Sequence, residues 1–425
     1  MRQVNISNQT VKEFEASYRE AVALTHEAQA GLYPTLGLTT GVTRSANGSS
    51  SGAGSFIGGG GRGAPNTQYS FEGTADWAPD LWGRIRRQVQ SQAAAAQVSA
   101  ADLANAQLSA QATLATDYFD LRTEDSLTQL LQATAVDYRR ALQITQNQYN
   151  AGTISRADVV TAQAQLQTVL AQLAGVGVQR ALFEHAIAVL TGRPPSELTI
   201  PFSPLPNDVP VTPPGLPSTL FERRPDIAAA ERAMDEENAL IGVAVATYYP
   251  DLSLSALGGF IGMSQLFTVA NRVWSLGASA SETLFEGGLR PAAVQAARAT
   301  YDEAVATYRQ TVLTAFQQVE DELSTLRILQ NQAAAEAAAV AAAQAAVAVT
   351  LNEYRAGTVA YTSVITQQEL LLSDQQTQLT VQQNRLVATV ALVQGLGGGW
   401  SAAALPTRGA RSIGSIPFHT NRRNS

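Results

Sequence analysis

Cysteine is absent from the 425 residues. That excludes disulfides, thiolate metal sites and thiol nucleophiles. Lysine is almost absent: Lys12 is the only one, and every other basic residue is arginine. The three histidines, His26, His185 and His419, are far apart and show no metal-ligand spacing. Charged residues make up 15% of the chain, below the roughly one quarter of an ordinary globular protein, and the net charge is -7. No basic field suits a nucleic acid, apart from a short basic tail. No run of 18 apolar residues occurs, so no membrane-crossing helix is expected. The most apolar stretch, Ala333 to Thr350, is alanine and valine interrupted by Glu336 and Gln344, which reads as high-propensity helix. The opening "MRQVNISNQTVKEFEASYREA" is polar and amphipathic, not a secretory leader.

What is present is a repeat. "NQYNAGTISRADVVTAQAQL" begins at Asn147 and "NEYRAGTVAYTSVITQQELL" at Asn352. "LYPTLGLTTGV" from Leu32 matches "YYPDLSLSALGGF" from Tyr248, and "DLWGRIR" from Asp80 matches "LFEGGLR" from Leu284. Asp117 falls over Asp321. The spacing between the copies shortens after the first of these markers, so the first copy holds an insertion, "ANGSSSGAGSFIGGGGRGAPN" from Ala46 to Asn66. Its composition is that of a flexible loop. Its "GGGGRG" lacks the Gly-Lys-Ser/Thr ending of a phosphate loop and opens no helix.

Each loop is flanked by segments of period two. Leu36, Leu38, Thr40 and Val42 alternate with small or polar neighbours, as do Tyr69, Phe71, Gly73, Ala75 and Trp77. In the second copy Leu252, Leu254 and Ala256 do the same, and so do Trp274, Leu276, Ala278 and Ala280. These are strands with one apolar and one small-polar face. At about ten residues each they can cross a bilayer when tilted; a soluble hairpin with one buried face fits the same pattern. After each hairpin comes helix. Arg84 to about Asn147 holds neither proline nor glycine, and Leu289 to about Arg355 holds only Pro291, which a first turn tolerates. Some 64 helical residues make a rod of roughly 95 Å, the length of a coiled-coil or helical-barrel element. Gly152 and Gly357 stand where each rod ends and supply a left-handed turn, so each motif is the tip of a helical hairpin.

The expected organisation is therefore a first repeat over 1–195, a proline-rich crossing over 196–217, a second repeat over 218–400 and a disordered tail over 401–425. Strands are expected near 32–43, 67–78, 249–261 and 272–284, and long helices near 84–148, 155–190, 289–355 and 361–396. If the four strands span a membrane, one chain cannot close a barrel, because open edges in lipid leave backbone groups unpaired. Two copies would supply eight strands and three would supply twelve; small inner residues favour the wider barrel with a passage.

Taken together, "LYPTL", "DLWGRIRR", "YNAGTISRADVVTAQAQL", "GLPSTLFERRPDIAAAE", "IGVAVATYYPDLSL", "LFEGGLR", "YRAGTVAYTSVI" and "LGGGW" resemble the outer membrane efflux protein family, of TolC and OprM type, and within it the NodT lipoprotein branch. The resemblance implies a mixed α-helical and β-barrel fold. It implies a homotrimer with a twelve-stranded outer-membrane barrel continued by a long periplasmic α-helical barrel. It also implies a passive exit duct of a tripartite efflux pump, served by a periplasmic adaptor and an inner-membrane RND-type pump, with no enzyme activity and no cofactor. The outer component of a type I protein secretion system is the alternative within the family, and a soluble coiled-coil protein or an unexported remnant is the alternative outside it. In such proteins the tips pinch the duct shut. Asp158 matches the position that pairs with the tyrosine of the second tip, here Tyr354, with Thr153 and Thr358 beside them; the other reading of Asp158 is a helix cap. Gly152 and Gly357 mark where an adaptor docks. The chain departs from the family where ring acids fall at Ser363 and Thr366 and a tip arginine at Val359. It also lacks the leader, lipidated cysteine and first helix with which relatives of that branch begin, so a misassigned start or a truncated gene is expected.

Overall fold

The computed structural model describes residues 2–46, 65–210 and 220–406. The inserted loop over 47–64, the last part of the proline-rich crossing from 211 and the tail beyond 406 lie outside the described residues. In chain order the elements are α1 (Arg2–Ser7), α2 (Gln9–Ala30), β1 (Thr35–Ser45), β2 (Asn66–Trp77), α3 (Arg84–Asn150), α4 (Arg156–Leu190), α5 (Leu220–Arg223), α6 (Pro225–Ala246), β3 (Asp251–Gly262), β4 (Arg272–Ser281), α7 (Leu289–Arg355) and α8 (Tyr361–Gly395). The duplication is visible in the lengths: α3 and α7 each have 67 residues, and α4 and α8 each have 35. Alanine and glutamine fill the long helices because they lose little rotamer freedom there.

The chain divides into two compact units, and each draws on both copies of the repeat. One unit, comprising Arg19–Ala96 and Arg232–Ala306, holds the sheet. Its four strands are antiparallel in the order β1-β2-β3-β4. The central pairing joins the two copies: Phe71 lies opposite Phe260, Gly73 opposite Gly258 and Ala75 opposite Ala256. In this register Leu36, Leu38, Val42, Tyr69, Phe71, Leu254, Phe260, Trp274 and Leu276 share one face. Among the described residues most of that face is uncovered: Leu36 is 81% exposed, Leu276 76% and Trp274 71%. At the helix end of the strands, Trp82 stacks on Tyr249 with ring centroids 4.9 Å apart and donates Nε1–H to the Pro250 carbonyl at 2.8 Å. Trp77 donates to the Leu32 carbonyl at 3.1 Å. At the loop end, Phe267 meets Phe71 and Phe260 edge-on at 5.6 and 5.5 Å.

The helix starts in this unit are fastened differently in the two copies. Ahead of α3, the Asp80 carboxylate accepts from the backbone N–H groups of Ile85 and Arg86 and pairs with the Arg86 guanidinium at 3.1 Å. Burial by itself would push the Asp80 pKa up, but these bonds outweigh burial and hold the group below its ordinary value. At α7 the same service comes from Glu286, which accepts from Arg290 N–H and pairs with its guanidinium at 2.9 Å.

The other unit, comprising Met1–Tyr18, Gln97–Glu231 and Thr307–Ser425, holds the hairpins and the described part of the crossing. One core cluster is Leu131, Ala135, Tyr138, Leu166, Val169, Val176 and Leu372. A second lies at the tips and is described below. The crossing is held by a buried charge cluster. Asp125, on α3, is fully buried and accepts from Arg122 at 2.9 Å, from Arg180 at 2.7 Å and from Ser203 N–H at 3.1 Å. Arg180 also donates to the Ile200 carbonyl at 2.7 Å and to Glu184 at 3.0 Å. Its hydrogen bond to Asp125 raises its already high basicity.

The chain has no unbroken run of 18 apolar residues, yet α4 and α7 each contain a window apolar enough on average to cross a membrane. The difference from the sequence expectation arises because alanine and valine carry the average past scattered polar residues. Only 17% and 11% of those windows are buried within the chain.

Candidate functional site

The two hairpin tips are built on one backbone plan. Gly152 (φ +74°) and Gly357 (φ +75°) are both left-handed. In the first, Thr153 N–H reaches the Gln148 carbonyl at 3.0 Å and Gly152 N–H the Tyr149 carbonyl at 2.9 Å. In the second, Thr358 N–H reaches Glu353 at 3.0 Å and Gly357 N–H reaches Tyr354 at 3.0 Å. These paired bonds form a Schellman motif at the end of each long helix. Thr153 and Thr358 add a hydroxyl bond to the same carbonyls, each at 2.9 Å. The repeat in the sequence is thus a repeat of this turn, since only glycine adopts the left-handed position without steric cost.

The side chains around the turns differ. In the first tip Asp158 completes a capping box with Ser155: its Oδ2 accepts from Ser155 N–H at 3.1 Å and from Ser155 Oγ–H at 2.8 Å. In the second tip α8 has Ala360 at its N-cap, with no side-chain cap bond. It is secured by burial instead. Tyr361 and Tyr354 join Ala162, Val364 and Ile365 in a common cluster, with the tyrosine rings 5.3 Å apart and tilted by 52°. Tyr354 donates its phenol to Gln148 Oε1 at 2.6 Å, which ties the second tip to the first. Within one chain, therefore, Asp158 is bonded to Ser155 and Tyr354 to Gln148. Burial raises the Tyr354 phenol above its ordinary value, and the nearby Asp158 charge raises it further. Tyr361 is pushed up to about 12, chiefly by burial. Gln165 extends the polar set by donating to Tyr138 at 3.4 Å.

Sequence reasoning reached Asp158, Tyr354, Thr153, Thr358, Gly152 and Gly357 but not Gln148, Tyr361 or Gln165. The available signal for Gln148 was its place in the motif, one residue before the tyrosine of its own tip. A buried aromatic at a helix start, Tyr361, has no such marker.

Four strands with an uncovered apolar face, two helical hairpins and tips of matched geometry define the outer-membrane channel fold. Residues 1–193 and 216–398 match the outer membrane efflux protein family. The chain is 31% identical over 355 residues to the solvent efflux pump outer membrane protein SrpC of Pseudomonas putida, covering 80% of this chain and 73% of the relative. It matches the toluene efflux pump outer membrane protein TtgI of the same species to the same extent. Among solved structures, the outer-membrane channel OprN superposes with a TM-score of 0.87 at 30% identity, over 94% of this chain and 89% of that one. The outer membrane protein VceC from Vibrio cholerae, at 24% identity and a TM-score of 0.83, shares the fold. The chain belongs to the outer membrane efflux protein family, and its fold is that of the family's channels.

Proposed function

We propose that three copies of this chain close one passive exit duct of a tripartite efflux pump, carrying drugs or other small molecules from periplasm to exterior. The sheet carries this reading. Its apolar face is largely uncovered, and among the described residues β1 and β4 have no second pairing neighbour, which leaves their outer backbone groups unpaired. In hydrocarbon such edges cost several kcal/mol per unpaired group, and only closure removes them. Three copies pair β4 of one with β1 of the next into twelve strands, wide enough for a passage. The aromatic residues at both strand ends suit the two interfaces of a bilayer. The uncovered alanine-rich surfaces of α4 and α7 suit a helical barrel in which neighbouring copies approach closely.

The duct breaks no covalent bond. An inner-membrane RND-type pump supplies the energy, and a periplasmic adaptor docks near Gly152 and Gly357. The tips form the periplasmic gate. Tyr354 and Gln148 hold the two hairpins of one copy together, Asp158 with Thr153 fixes the mouth of the first, and Thr358 fixes the turn of the second. Conductance in planar bilayers tests this assignment. The variants Y354F and D158N should each conduct several-fold more than the parent channel, and Y354F with Q148A no more than Y354F alone. Parent-like conductance in all three would remove the gate from these residues while leaving the duct in place.

A further inference from the structure

The sheet is charge-polarised along its strands. The stretches 36–71 and 252–281, which contain the loop ends of all four strands, hold no Asp or Glu. The acids Asp76, Asp80, Asp251 and Glu282 gather at the helix end. There the arginines are matched: Arg84 with Asp251, Arg86 with Asp80 and Arg290 with Glu286. At the loop end, Arg44 on β1 and Arg272 on β4 are exposed, and their guanidinium groups have no ion-pair or side-chain hydrogen-bond partner among the described residues. Both sit on the apolar face. Arg272 lies opposite Phe260 and two residues from Trp274, and Arg44 lies two residues beyond Val42. Glu72, the nearest acid along the strands, points to the other face.

A side chain on the lipid-facing surface of a barrel is costly when charged at mid-bilayer but not at the interface. Two unmatched arginines just beyond an apolar band and its aromatic rim therefore sit at headgroup depth. A guanidinium binds a phosphate bidentately and stacks well beside aromatic rings. The arginines lie on the two edge strands, so closure of the barrel brings β4 of one copy beside β1 of the next and sets both guanidinium groups along one seam.

We propose that Arg44 and Arg272 form a binding site, at each seam between copies, for the phosphorylated headgroup of an outer-leaflet lipid whose acyl chains lie on the apolar face below. This rests on the closed-barrel reading above. Native mass spectrometry of the full-length protein in detergent, titrated with diphosphoryl lipid A, tests both. The parent protein should retain the lipid, and R44Q/R272Q should bind it roughly thirtyfold more weakly, the loss of two surface arginine contacts. R44K/R272K, which keeps the charge, should recover most of that affinity. Dephosphorylated lipid A should bind the parent and the glutamine variant alike. Equal retention of diphosphoryl lipid A by trimeric parent and glutamine variant would overturn the site. Displacement of the lipid by an equal concentration of inorganic phosphate would also overturn it, since the ligand would then be a free anion. Absence of a trimer from the same spectra would instead overturn the closed barrel.

Discussion

The two hairpin tips share a backbone and differ in what holds it. Both carry the threonine bond to the turn, but the first is fastened besides by hydrogen bonds among exposed groups, Ser155 with Asp158. The second is fastened by buried rings, Tyr361 at 4% exposure and Tyr354 at 9%. The contrast continues along the hairpins. With α3 and α7 of equal length, Gln330 stands where the first copy has Asp125, while Arg385 stands where it has Arg180. The second copy keeps the arginine, which donates to Gln382 at 3.1 Å, and among its described residues there is no buried carboxylate to match. Duplication has preserved geometry set by the main chain and left the fastening free to diverge, because different side chains satisfy the same backbone.

The strongest way to break this comparison is at Asp125. Replacing it with alanine leaves the buried Arg122 and the partly exposed Arg180 without their shared anion and should cost about 3 kcal/mol. The expected readout is a lowered thermal midpoint by circular dichroism, with hydrogen exchange rising first in 198–205; the equivalent change Q330A should cost about 0.5 kcal/mol or less, since Gln330 is exposed. An equal loss in both would erase the asymmetry.

Next in size is the second tip. Tyr361→Ala removes a buried ring and should cost about 3 kcal/mol, read as faster exchange over 351–365. The same residue predicts a pH effect. Its phenol titrates near 12 when folded against an ordinary value of 10.0, so the unfolded chain releases its proton first as pH climbs. The stabilising contribution is intact below about pH 10 and disappears through about pH 12. Alkaline melting monitored by phenolate absorbance should show this in the parent and lose it in Tyr361→Phe.

The smallest effects should come from the hydrogen-bonded fastenings. Ser155→Ala opens the capping box for about 1 kcal/mol. Tyr354→Phe loses the bond to Gln148 for about the same, leaving Gln148 with water available. The two should couple rather than add, because Tyr354 bonds to Gln148 of the first tip and lies near Asp158, the partner of Ser155. A cost for Ser155→Ala as large as that for Tyr361→Ala would contradict the distinction between the tips.

Much of the fold was legible beforehand. The four strands show their period of two, the long helices show their lack of glycine and proline, and Gly152 and Gly357 mark the turns. The site was legible only in part. Asp158 carried two readings on sequence alone, and within one chain its hydrogen bonds are those of a helix cap. Gln148 lies 206 residues from Tyr354, and no local pattern announces a hydrogen bond between them. The buried charge cluster had the same limit: Asp125, Arg180 and Ser203 each look ordinary in their own surroundings.

The sequence by itself determined the periodicities, the breaks and the duplication, because those depend on the preferences of neighbouring residues for a backbone state. Only the tertiary structure decided which strands adjoin at the centre of the sheet, which acid is buried between two arginines and which tyrosine reaches across to the other tip. Those outcomes depend on distances between residues far apart in the chain, and on which polar groups lose water together when the elements pack.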